Sequence, residues 1–302
     1  FYSNPPVLPW VASWAKKLFG CKLVFVSYDL YPELALRTGA LKTGSSVEKF
    51  LSHINKAVYP RLDRVVALSS EMKEFLQENR AIDPSRIVVI PNWYPDGGAP
   101  RKNLSRNRFA GDLGGKFVVS YFGNMGTIQD METILGAVRA LKDEPDIFFL
   151  FAGHGNKLEA LKQSIAREGL YNAQVLEYLH GQDYRDALEI SSAALISLEA
   201  GTTGLCVPSK TYSYMMEGIP LLAIMDRCDI VADIESGAGK AFHNGESDRL
   251  AREIVAMRDD PQGVSAMAER CRKLYLQKYT PEVCLPQYEA LFRALLGPGG
   301  RA

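Results

Sequence analysis

The sequence predicts an α/β fold with parallel sheets, on three observations. Short apolar, β-branched runs alternate with amphipathic segments; most runs are bounded by Gly, Asp, Asn or Pro; and the rhythm breaks only once, in a Pro/Gly/Asn/Arg-rich stretch. Strands that alternate with helices read as βαβ units, and such units build parallel sheets covered on both faces.

In chain order, strands are expected over residues 22–26 (KLVFV), 64–68 (RVVAL), 86–90 (RIVVI), 117–122 (FVVSYF), 147–152 (IFFLFA), 174–176, 193–198 (AALISL) and 220–225 (PLLAIM). Each is a short run in which Val, Ile, Leu or Phe dominate. Helices are expected over 47–58, 70–79, 131–142, 157–168 and 184–191, where apolar residues recur at three- and four-residue spacing, and over 283–296 after Pro281. A short helix over 210–217 has its own punctuation, with Ser209 after Pro208 as N-cap and Gly218 followed by Pro220 as stop. The break, PNWYPDGGAPRKNLSRNRFAGDLGGK, divides the chain into a first domain (1–95), a linker (96–115), a second domain (116–280) and a closing helical segment (281–302). Within it, residues 101–116 carry five basic residues against Asp112, the composition of a solvated linker or of a surface for anionic substrate or lipid headgroups.

Composition excludes several classes. The chain has 302 residues, 47% of them hydrophobic, and 35 Lys plus Arg balance 35 Asp plus Glu, so no basic field argues for nucleic acid. Five scattered cysteines without a CxxC pair, and four histidines without ligand spacing, argue against a disulfide framework and a metal site and suit a reducing cytoplasm. No run approaches the roughly 20 apolar residues of a membrane span. No Gly-x-Ser-x-Gly elbow is present.

Candidate chemistry gathers at strand ends. Gly123-Asn124-Met125-Gly126-Thr127 follows FVVSYF, and its backbone N–H groups suit a phosphate. Glu199 to Gly204, with Gly201 and Thr202, leads into Pro208-Ser209-Lys210, where a lysine meets the positive end of a helix, a poor place for a cation unless an anion binds. Gly153-His154-Gly155 follows IFFLFA but lacks the third glycine of a dinucleotide fingerprint. Near the front, Tyr28-Asp29-Leu30-Tyr31-Pro32-Glu33 places two carboxylates after a strand, to orient hydroxyls, take a proton, or act as an N-cap and a surface glutamate. Trp10, Trp14 and Phe19 beside Lys16 and Lys17 suit either a helix on a membrane surface or one packed on the sheet.

The ordered set SNPP, DLYPE, RVVALSSEMKEFL, IPNWY, YFGNMG, FAGHG and PSKTYSYMMEGIP resembles the retaining family 4 glycosyltransferases of GT-B fold, within them the bacterial group that builds O-antigen, capsule and colanic acid and includes L-fucosamine transferases. The resemblance spans nearly the whole chain. It implies two Rossmann-like domains, the first incomplete because the chain opens at Phe1 in what resembles the middle of that domain with only three strands before the linker. It further implies a donor diphosphate held by Gly123, Asn124, Gly126, Thr127, Gly153, Gly201, Thr202, Gly204, Pro208, Ser209 and Lys210, with Tyr28, Asp29 and Glu33 on the acceptor side. Asp29, Glu33 and Lys210 are the implied catalytic residues, with no metal and no cofactor. The implied partners are a nucleoside-diphosphate sugar, expected to be UDP-linked, and a lipid-linked saccharide at the cytoplasmic membrane face. Several positions depart from the broader family. Asn124 and Gln129 stand where it has phosphate-binding Arg and Lys, Leu205 and Ser213 where it has paired glutamates, and Tyr28 where a histidine is common. A nucleotide-sugar epimerase of the same fold and a non-catalytic nucleotide-binding subunit remain alternatives.

Overall fold

The computed structural model describes residues 1–3, 5–98 and 104–297. They form two units: Phe1–Trp93 with Gly201–Val207 and Lys278–Ala302, and Tyr94–Ala200 with Pro208–Gln277.

In the first unit the order is α1 (Leu8–Phe19), β1 (Val24–Ser27), α2 (Glu33–Arg37), α3 (Ser46–Val58), β2 (Arg64–Ala67), α4 (Ser70–Arg80) and β3 (Ile87–Val89). The three strands form one parallel sheet in the order β1-β2-β3, in register Val26↔Val66↔Val88. Ser45 and Ser69 cap α3 and α4 by accepting the N–H groups of Glu48 and Met72. One face of the sheet packs Val26, Val66 and Ile90 against Cys284 and Leu291 of the closing helix. Asp63 ties the front of the sheet together, taking Lys16 Nζ (2.6 Å) and the Leu23 N–H (2.7 Å) on one carboxylate oxygen.

In the second unit, α5 (Ala110–Leu113), β4 (Phe117–Asn124), α6 (Met131–Ala140), β5 (Ile147–His154), α7 (Leu158–Glu168), β6 (Ala173–Leu176), α8 (Gly181–Ile190), β7 (Ala193–Ser197), α9 (Lys210–Met216), β8 (Leu221–Ile224), α10 (Asp229–Asp233), β9 (Gly239–Phe242), α11 (Ser247–Asp259) and α12 (Pro261–Lys278) succeed one another; α13 (Pro281–Leu296) returns to the first unit. The six strands are parallel in the order β6-β5-β4-β7-β8-β9. This is a doubly wound sheet whose order reverses between β4 and β7, and the crevice beyond the strand carboxyl ends at that point is where such sheets hold ligands. Tyr121, Phe149, Phe151 and Leu195 of the sheet meet Ile134 and Val138 of α6 and Leu250 and Ile254 of α11 in one core.

The structure bears on the expected linker and its basic residues. Of the expected linker 96–115, residues 99–103 lie outside the described residues, and residues 104–115 belong to the second unit. There the Asn107 side chain donates to the Asp186 carbonyl (2.8 Å), Arg108 pairs with Asp183, and Lys116 Nζ donates to the Pro145 carbonyl (3.1 Å). Arg108 and Lys116 therefore face their own unit; Arg101 and Lys102 fall outside the described residues. Asp259 and Asp260 form the junction between α11 and α12, Asp259 pairing with Arg258 and Asp260 accepting the Gly263 N–H. Strand β9 and helices α10 to α12 were not foreseen.

Candidate functional site

Helix α9 is short because both of its ends are fixed by backbone chemistry. At its exit Gly218 turns left-handed (φ 65°), and the Gly218 and Ile219 N–H groups return to the carbonyls of Met215 and Tyr214. Thr211 to Met216 are all buried. The Tyr214 hydroxyl accepts the Phe122 N–H (2.6 Å) and points back at the Phe122 carbonyl (3.3 Å), which locks the helix onto β4. At the entry one expectation fails: Ser209 stands at the N-cap position but its side chain makes no cap. Its backbone is already helical, and the first N–H groups go instead to the carbonyls of Pro208 (3.2 Å) and Ser209 (3.4 Å), a tight backbone turn that leaves the hydroxyl unused as a cap.

This anchoring places Lys210 at the switch point. Its ammonium lies 3.5 Å from the centroid of the Tyr121 ring and donates to the Asn124 carbonyl (3.3 Å) at the end of β4, across the β4–β7 crevice. Among the described residues no carboxylate pairs with it. Burial against the ring holds its pKa well below the ordinary lysine value. An ammonium has three donors, and the Asn124 carbonyl occupies one.

Around it the strand ends are shaped by glycine. Gly123 and Gly153 sit side by side in register, and a Cβ on Gly153 (φ 151°) would collide with the Gly123 carbonyl oxygen. The loop after β4 differs from expectation, because two of its N–H groups are already engaged. Met125 donates to the His154 carbonyl (2.6 Å) and Gly126 to the Gln129 side chain (2.8 Å). Gln129, standing where the resemblance implied a phosphate-binding cation, is thus a brace for its own loop. Thr127 Oγ1 accepts from Asn156 (2.8 Å).

The structure does not gather all the candidates in one unit. Gly123, Asn124, Gly126, Thr127, Gly153, Pro208, Ser209 and Lys210 lie in the second, whereas Gly201, Thr202 and Gly204 belong to the first. There the Leu205 carbonyl accepts the Leu30 N–H (2.9 Å) and the Gly201 carbonyl accepts Arg37 Nε (3.0 Å). Tyr28 and Asp29 both donate their backbone N–H to Ser3 Oγ at 3.1 Å, and burial raises the Tyr28 pKa. Glu33 is corrected. It opens α2 as the ion-pair partner of Arg80, whose guanidinium also reaches the Tyr31 carbonyl (3.3 Å). The ion pair ties the start of α2 to the end of α4.

Two features were missed from sequence. Lys157 brings a second cation to the same sheet edge but spends it on Glu199 (2.6 Å) and the Gln129 carbonyl (2.7 Å). Tyr178 stacks on His154 (centroids 5.4 Å, 9°) and approaches His180 (4.6 Å), an aromatic cluster beside the end of β5. Only the pairing of β5 with β6 brings these residues together, and sequence spacing carries no signal of it. Glu217, at the end of α9, lines a separate cleft of about 290 Å³ with Glu189 and Glu269, and burial raises its pKa.

A doubly wound sheet with a lysine at its switch point is suited to a phosphate-bearing ligand, and the fold of the chain is that of the GT-B glycosyltransferases. Residues 1–93 match the family described as glycosyl transferase 4-like domain. Over 97% of its length the chain is 27% identical to a Pseudomonas aeruginosa protein named as the probable glycosyltransferase WbjE, of which it covers 74%. Over 67% it is 23% identical to the Escherichia coli protein WcaI, named as a putative colanic acid biosynthesis glycosyl transferase, of which it covers 51%. Among solved structures, Anabaena Alr3699/HepE in complex with UDP superposes with a TM-score of 0.75 over 96% of this chain and 78% of that one, at 17% identity. The N-terminal family match and the two relatives are described as glycosyltransferases, and the fold is one that such enzymes share.

Proposed function

We propose that the chain is a retaining glycosyltransferase of surface-polysaccharide synthesis, which takes a sugar from a UDP-linked donor and passes it to a lipid-linked glycan at the cytoplasmic membrane face. The observation that carries the reading is Lys210, a cation without a carboxylate partner among the described residues, fixed at the switch point between Tyr121 and the Asn124 carbonyl. A diphosphate leaving group gathers negative charge as the glycosidic bond breaks, and a preorganised cation in a partly dry site stabilises that charge. Ser209 and the remaining N–H groups of the 123–127 loop supply further donors. Tyr178, with His154 and His180, offers an aromatic surface for the base. The Asp29 carboxylate orients the acceptor, and Glu33 with Arg80 fixes the segment that carries it. Retention follows from the resemblance to family 4 enzymes, and UDP is supported by the Anabaena structure that contains it.

Thermal-shift titration with UDP, GDP and their sugars tests the reading, since a ligand at a hundred times its dissociation constant adds about 2.7 kcal/mol. UDP and UDP-sugars are expected to raise the melting temperature. No shift with any nucleotide would remove the donor site.

A further inference from the structure

Helix α1 sits with its apolar side outward. It buries Pro9 and Ser13, the latter fully, and half-buries Ala12 and Lys16, whose ammonium reaches the Arg61 carbonyl (2.7 Å) and Asp63. Its large apolar residues recur at three- and four-residue spacing on the opposite face, with Trp10 44%, Val11 55%, Trp14 56% and Leu18 73% exposed. The two indoles touch edge to face at 6.0 Å, so the stripe is continuous. Its neighbour α3 adds Val47 and Phe50, both more than half exposed. A helix that hides a serine and a lysine stem while presenting two tryptophans is arranged for a partner that is not water.

Charge identifies that partner. The 302 residues together are formally neutral, yet residues 1–64 hold nine Lys and Arg against four Asp and Glu, and residues 1–28 contain no acidic side chain. The exposed Lys17 flanks the stripe, and Lys49 and Lys56 are on α3. Tryptophan, aliphatic side chains and flanking lysines together match the boundary between acyl chains and anionic headgroups. Among the described residues no helix is long and apolar enough to cross a membrane.

We infer that the outward face of α1, with α3 beside it, docks on an anionic lipid bilayer, lying in its interface without crossing it. This deepens the lipid-linked acceptor in the reading above but is tested without any nucleotide.

The full chain is mixed with phosphatidylcholine vesicles, with and without phosphatidylglycerol, then floated while tryptophan emission is followed. Wild type is expected to float with the anionic vesicles and shift its emission to the blue, and to lose both in high salt. The variant Trp10→Ser/Trp14→Ser/Leu18→Ser should lose at least about tenfold in vesicle affinity, and Lys17→Ser about fivefold, each with unchanged circular dichroism. Three results would overturn the inference: no binding to anionic vesicles, equal binding by the triple variant, or a dimer in solution that the triple variant dissociates. Vesicle binding by a protein that ignores UDP would sink the donor site and leave this surface standing.

Discussion

Helices α9 and α1 are both rich in aromatic residues, and the molecule treats them in opposite ways. Tyr212 and Tyr214 of α9 are buried within the second unit, and the Tyr214 hydroxyl is satisfied by the backbone of β4. Trp10 and Trp14 of α1 stand in solvent. Aromatic content therefore says little about role until burial and polar partners are known. In α9 the rings fix the position of Lys210; in α1 they form a surface.

Substitutions should separate the two helices. Tyr214→Ala removes a fully buried ring and is expected to cost about 3–5 kcal/mol in denaturant unfolding. Tyr214→Phe, which keeps the ring but strips the Phe122 N–H of its acceptor, should cost about 1–3 kcal/mol. Gly153→Ala, which drives a methyl group at the Gly123 carbonyl from a left-handed backbone, should also cost about 1–3 kcal/mol and disturb nucleotide binding more than its stability loss explains. Full UDP affinity in a folded Gly153→Ala protein would detach the strand ends from the site. Trp14→Ser, by contrast, should move stability by no more than about 0.5 kcal/mol. A large loss there would mean that α1 packs like α9, and the comparison would collapse.

Lys210 also marks a difference in pH dependence. Its folded pKa is depressed by burial, so between that value and the ordinary 10.5 the unfolded chain holds a proton that the folded chain has released. Stability contributed at this site therefore rises with pH across that window, because the unfolded state binds more protons there. Lys210→Met should flatten the rise, as read from urea midpoints over a pH series; an unchanged slope would show that Lys210 is an ordinary surface amine.

Much of this was legible in the sequence. Runs such as FVVSYF and IFFLFA became β4 and β5 because continuous apolar strands buried on both faces carry an unambiguous pattern. The missed β9, Gly-Lys-Ala-Phe, has no such run and is a strand only because β8 pairs with it. Helix α12 buries only Cys271, Leu274 and Tyr275, too thin a stripe to declare itself. At the site, the bounds of α9 were legible, its stop from Gly218 and Pro220, although Ser209 does not make the side-chain cap that its position suggested. The use of Gln129 as a brace, of Glu33 as the partner of Arg80 and of Tyr178 beside His154 was not, since each depends on a neighbour that only tertiary packing supplies.

The central claim is that Lys210 holds the diphosphate of a nucleotide donor, and calorimetric titration of UDP into wild type and Lys210→Ala tests it most directly. Loss of a charged hydrogen bond worth roughly 1.5–3 kcal/mol predicts affinity about ten- to a hundredfold weaker in the variant, with the fold intact by circular dichroism. Equal affinity in the two proteins would contradict it.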